Sequence, residues 1–280
     1  MTCSPLTRDR AVFAAALVTL LLAGGCGSRV DQSSSAPYFQ RAEPPLSTAS
    51  VAPRSPVVAR DTLRRRAIAR CAGTIRPLRT RAVAFAAVVR DEARVYASPG
   101  GRHLRRFGRL NVNGVPTAFG ALGRARCAGD WIRVQLPTRP NGMLGWVRAA
   151  DVRLVRVHTR VEVDLSERRL TLYRRGREVF SVAAAIGAPD TPTPTGSYYV
   201  NQRLVAPNPA GPFGPAALGI SAFSPVLQDW IQGGPIAIHG TNRPDLIGGA
   251  VSHGCVRIRN AVLARIYRSA LVGTPVLIRA

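Results

Sequence analysis

The stretch that decides this chain reads Ile236-Ala-Ile-His-Gly-Thr-Asn-Arg-Pro-Asp-Leu-Ile-Gly-Gly-Ala-Val-Ser-His-Gly-Cys-Val-Arg-Ile-Arg-Asn260. Ile236 to Ile238 is a short apolar run, predicted as a buried strand that ends at His239. A loop broken by Gly and Pro follows. Ser252-His253-Gly254-Cys255 then returns to a second strand, Val256-Arg257-Ile258-Arg259, in which apolar and charged residues alternate. His239 and Cys255, sixteen positions apart, are thereby placed at the end of one sheet. A thiol attacks as thiolate, and a neighbouring imidazole can take its proton. Gly254 lets backbone approach a substrate, and the Gly254 and Cys255 amides are candidate donors to an oxyanion. Two blander readings compete: a satisfied core histidine with an inert thiol, or a zinc site built from His239, His253 and Cys255. Zinc is disfavoured, because no second cysteine stands at C-x-x-C spacing and no acidic ligand is close.

The pattern H-G-T…S-H-G-C-V-R-I-R-N resembles the signature of the L,D-transpeptidase (YkuD-like) catalytic domain. The likeness runs from near Val157 to the C-terminus and takes in Thr193-Pro194-Thr195-Gly196 and Gly211-Pro212-Phe213-Gly214-Pro215. It implies a C-terminal β-sandwich of a bacterial envelope enzyme acting on peptidoglycan stem peptides. By the same resemblance Cys255 is the nucleophile and His239 the proton donor and acceptor. Ser252, His253, Gly254 and Arg257 take the supporting positions. No cofactor or metal is implied, and carbapenem-type compounds are the expected inhibitors.

The rest of the chain is read around this. Its 280 residues suffice for two small domains plus tails. The formal net charge is +24, and the absence of lysine makes all 39 basic residues arginine. Such a charge is either a solvated basic surface or an attraction to polyanions such as wall polymer or anionic lipid. Nucleic acid is disfavoured, because the arginines are not interleaved with aromatics and an export signal precedes them. That signal spans 1–25: Arg8 and Arg10 lead an apolar run, Ala11 to Ala23, too short to span a bilayer comfortably. It ends in Leu22-Ala-Gly-Gly-Cys26, which looks like a lipoprotein cleavage site, although Ala23 stands where Leu is usual. On this reading Cys26 is lipidated, anchoring the protein at the outer face of the cytoplasmic membrane. An ordinary secretory signal, with release into the wall or periplasm, is the other reading. Of five cysteines, Cys71 and Cys127 then remain for a disulfide in an oxidising compartment.

Residues 27–75 read as a disordered linker, with a short helix predicted over Arg60 to Cys71. Residues 76–156 read as short strands broken by Gly and Pro. Val95-Tyr96-Ala97 and Trp131…Gly145-Trp146-Val147 resemble a bacterial SH3-like barrel, in which the two tryptophans are core. From 157 onward, Val161/Val163/Leu165 and Leu170/Leu172 predict a hairpin, with more strands following, so the fold class is mainly β. Ala206 to Gly219 is predicted to be a loop walling the substrate cleft. Asn260 is predicted to cap a helix with Leu263, Ile266, Tyr267, Ala270 and Leu271 on one buried face, ended by Gly273.

Overall fold

The computed structural model describes residues 75–127 and 129–280. The signal segment, Cys26, the linker with its helix, and Cys71 lie outside the described residues. Cys127 is disulfide-bonded.

Alternation of apolar and charged residues builds the first half into β1 (Arg76–Pro77), β2 (Ala84–Val89), β3 (Glu92–Tyr96), β4 (His103–Gly108), β5 (Ala118–Arg126), β6 (Asp130–Gln135), β7 (Leu144–Arg148) and β8 (Val152–Val157). They form one antiparallel sheet in the order β4-β3-β7-β6-β5-β2-β8, with β1 on β5. One set of alternate residues, including Val95, Phe119, Ile132, Val134 and Val147, makes its core. Trp131 and Trp146 are buried beside Ala125, as core residues and not binding platforms.

The second half holds β9 (Thr159–Asp164), β10 (Arg169–Arg174), β11 (Arg177–Ala183), β12 (Ile186–Gly187), β13 (Gly196–Val205), β14 (Ala216–Phe223), β15 (Pro235–His239), β16 (Ala250–Ser252), β17 (Val256–Arg257), α1 (Asn260–Ser269) and β18 (Pro275–Arg279). The expected β9–β10 hairpin forms, and Arg175 and Gly176 both take positive φ in the next turn, at 51° and 81°. The main sheet runs β11-β10-β9-β18-β13-β14-β15-β17. It is mixed and not wholly antiparallel: β18 pairs with β9, and β15 with β17, in parallel. β12 and β16 form a separate parallel pair. The protein is mainly β, with a single α-helix among the described residues.

Three local expectations are revised. The loop predicted to reach Gly219 ends at Pro215, because Ala216–Phe223 pairs with both β13 and β15 despite its glycine and alanines. The helix ends at Ser269, before Gly273, and Leu271 is therefore 39% exposed instead of core. Asn260 does not cap the helix. Arg259 occupies that position with no side-chain cap, and the Asn260 carboxamide serves the active-site loop instead.

The two sheets pack within one compact unit. Gly120 of β5 lies against the Tyr199 ring; a Cβ there would sit 2.7 Å from Cδ1. Tyr199 is fully buried and its hydroxyl donates to the Ala118 carbonyl at 3.2 Å. Burial drives that phenol's pKa well above its ordinary value. The Gln135 amide donates to the Ser197 carbonyl (2.8 Å), and the Asn111 amide to Gln202 Oε1 (3.0 Å).

Candidate active site

The site lies at the β17 edge of the second sheet. In the parallel pair β15–β17, Ile238 stands opposite Val256 and His239 opposite Arg257. Side chains alternate along each strand, so Ile236, Ile238, Val256 and Ile258 go into the core, where each is at most 1% exposed. The intervening positions, His239, Cys255 and Arg257, are turned the other way. All three line one cavity of about 220 Å³, together with Pro212, Phe213, Leu227, Trp230 and His253. The thiol and imidazole therefore share a cleft.

His239 is 3% exposed. Its Nδ1 is 2.6 Å from the Gly240 carbonyl. A carbonyl only accepts, so this contact places the proton on Nδ1 and leaves Nε2 as the proton acceptor. Burial pushes the His239 pKa down to about 4; the Gly240 carbonyl opposes this and the Arg257 guanidinium adds to it. Cys255 is half-buried. Burial raises its thiol pKa, while a hydrogen bond from the Ala237 backbone and the Arg257 charge pull it down. The resting pair is thus neutral thiol and neutral imidazole. Arg257 acts on both members in the same sense, disfavouring imidazolium and favouring thiolate.

The backbone around Cys255 is held by hydroxyls. Ser252 Oγ donates to the Cys255 carbonyl (2.6 Å) and accepts from the Gly254 amide (3.1 Å). The Gly254 amide is thus committed to Ser252 and is not an oxyanion donor, contrary to the sequence reading. The Cys255 amide has no hydrogen-bond partner among the described residues. Thr191 Oγ1 donates to the Ser252 carbonyl (3.0 Å), and Thr193 Oγ1 to the Gly254 carbonyl (2.8 Å) while accepting from the Gly187 amide (2.8 Å). These bonds give Thr191 and Thr193 definite roles that their sequence neighbourhood did not specify. Gly254 has φ +105°, and a Cβ there would meet Ile236 Cδ1 at 2.9 Å, so glycine is required. His253 is exposed, its ring centroid 5.1 Å from that of Trp230. Arg257 hydrogen-bonds through its backbone in both directions with Ala185.

Around His239 the glycines do the packing. Gly240 and Gly214 approach so closely that a Cβ on Gly240 would lie 3.2 Å from the Gly214 Cα. The Asn260 carboxamide sits against both and accepts from the Thr241 amide at 2.8 Å. This contact seats Phe213 over His239, with ring centroids 4.8 Å apart. The 206–215 loop thus walls the cleft through Pro212 and Phe213. Trp230 was missed from sequence, since a lone exposed tryptophan in a Gly-rich segment carries no periodic signal. Among the described residues no cluster of three His, Cys, Asp or Glu could hold a metal ion.

Residues 158–278 match the family model of the L,D-transpeptidase catalytic domain. The matched segment contains every residue of the cavity just described. The chain is 42% identical over 101 residues to YkuD of Bacillus licheniformis, named as an L,D-transpeptidase, covering 36% of this chain and 53% of that one. It is 33% identical over 144 residues to the Escherichia coli L,D-transpeptidase YbiS, covering 43% and 44%. The chain thus spans about half the length of the curated relatives it matches. The catalytic domain of the Enterococcus faecium L,D-transpeptidase aligns over 43% of this chain and 96% of its own at 25% identity, with a TM-score of 0.33.

Proposed function

We propose that the protein is a peptidoglycan L,D-transpeptidase that forms 3→3 cross-links between stem peptides. The observation that carries this reading is the joint presence of the Cys255 thiol and the His239 imidazole in one cavity within a YkuD domain. His239 takes the proton from Cys255, and the sulfur attacks the carbonyl carbon of the third residue of a tetrapeptide donor. The Cys255 amide supports the oxyanion, a contribution of about 3 kcal/mol for one well-placed donor. The bond to D-Ala breaks, and the imidazolium gives its proton to the departing amine. A thioester remains. The amine of another stem's third residue attacks it, losing its proton to His239, and the C–S bond breaks to regenerate the thiol.

The same thioester yields to water, so L,D-carboxypeptidase activity is the second reading. A non-catalytic wall-binding role is disfavoured by the intact pair. The decisive experiment incubates the protein with a tetrapeptide donor, with and without an acceptor stem, and reads products by mass spectrometry. Transpeptidation gives a dimer minus D-Ala; a tripeptide alone in both reactions supports the carboxypeptidase. A carbapenem is expected to add its mass to Cys255, and an unmodified intact mass would overturn the nucleophile assignment. In the same proposal, Cys26 carries lipid at the outer face of the cytoplasmic membrane, Cys71 pairs with Cys127, and residues 76–156 form an SH3-like unit.

A further inference from the structure

One wall of the cavity comes from a loop that the first sheet holds in place. Between β14 and β15, residues 224–234 close on themselves: the Ser224 amide donates to the Gly234 carbonyl (2.8 Å), and Ser224 Oγ accepts from the Leu227 amide (3.1 Å). Gln232, Gly233 and Gly234 all have positive φ, and a Cβ on Gly234 would lie 2.2 Å from the Leu227 carbonyl oxygen. Ser224, Leu227, Trp230 and Gly234 line the cavity beside His253 and Cys255. Within the loop the chain is short of regular structure, so its shape needs outside support.

That support comes from two connections of the other sheet, β6–β7 at Arg139 and Asn141 and β4–β5 at Asn113. Arg139 Nη2 donates to the Ser224 carbonyl (2.6 Å) and to the Gly233 carbonyl (2.7 Å), which stand at opposite ends of the loop. Its guanidinium lies 5.4 Å from the Phe223 ring centroid. Asn141 pairs with the Phe223 backbone in both directions, at 2.9 Å each way. Gln232 Nε2 donates to Asn113 Oδ1 at 2.9 Å. Both bonds leave one guanidinium nitrogen, so a single cationic group ties the two ends of the loop together, and charge-assisted bonds are the stronger class.

We infer that Arg139 is a positioning residue for the reaction at Cys255: from the first β unit it clasps the 224–234 loop and so sets the wall against which the donor peptide lies. This rests on the acyl-transfer reading for its kinetic arm only. In the full chain, Arg139→Ala is expected to raise hydrogen–deuterium exchange across 224–234 by roughly tenfold while β9–β10 peptides stay unchanged. For transfer from a tetrapeptide donor, KM rises roughly tenfold and kcat moves less than about threefold, since no reacting atom loses a partner. Arg139→Lys, which keeps one cationic donor, recovers part of both effects. A third readout needs no activity: Arg139→Ala speeds labelling of Cys255 by a bulky maleimide relative to iodoacetamide. Unchanged exchange, or an unchanged KM beside a lowered melting temperature, overturns the inference. Should Arg139→Ala not fold, Arg139→Lys and Asn141→Ala must show the same pattern at smaller size, and its absence counts equally against it. If the native protein transfers no acyl group, the functional proposal falls, while exchange and labelling still judge the clasp.

Discussion

The two β units are built from the same alternation of apolar and polar residues, yet they spend their edges differently. The first sheet is antiparallel throughout and grips its neighbour with guanidinium and carboxamide groups, Arg139, Asn141 and Asn111 on its connections and Gln135 at the end of β6. The second sheet turns two adjacent strands parallel at one edge, which puts His239 in register with Arg257 and brings Cys255 to the same face. An antiparallel pairing would join neighbours through a tight turn. The parallel one needs a long return, and that return carries Ser252, His253 and Gly254. The difference teaches that the chemistry belongs to the irregular, hydroxyl-tied edge of one unit, while the other unit supplies shape.

The largest expected effect breaks the comparison if it fails. Cys255→Ala should lower transfer by about 10⁴-fold or more, with the melting temperature within about 5 °C of the native protein. Retained turnover would mean that the reaction lies elsewhere.

The second test uses pH. His239 titrates near 4 when folded, against an ordinary value of 6.5, so between these values the unfolded chain binds more protons than the folded one. Stability contributed by the buried neutral ring is therefore complete above about pH 6.5 and is lost as pH falls toward 4, by about 3 kcal/mol in total. Denaturant melts of the native protein and of His239→Ala across that window should differ by this slope. Parallel curves would show that the imidazole is not held neutral by burial.

Two smaller effects sharpen the contrast between site and seam. Asn260→Ala strands the Thr241 amide and loosens the Gly214–Gly240 contact under Phe213, with an expected loss of about 1–3 kcal/mol in chemical denaturation and a measurable fall in kcat/KM. Gln135→Met at the seam leaves the Ser197 carbonyl without its donor, costs about 1 kcal/mol, and should leave kcat/KM unchanged. If both changed activity alike, the division of labour between the units would be wrong.

Most of the site was legible before any coordinates. A short apolar run announced β15, apolar–polar alternation announced the hairpin of β9 and β10, and the spacing of His239 and Cys255 within a Gly-rich return marked the pair. Hydrophobic period is a local property, fixed by which face of a strand meets water, so residue order determines it. What residue order could not decide was pairing. It did not say that β15 and β17 run parallel, that the Gly254 amide goes to Ser252, or that Asn260 serves Thr241 and not the helix end. Trp230 lines the cavity on a loop that Arg139, far away in the chain, holds by two carbonyls, so the two are linked only because one sheet clasps a loop of the other. Such partners are chosen by where packed cores leave a carbonyl exposed, and only the folded chain specifies that.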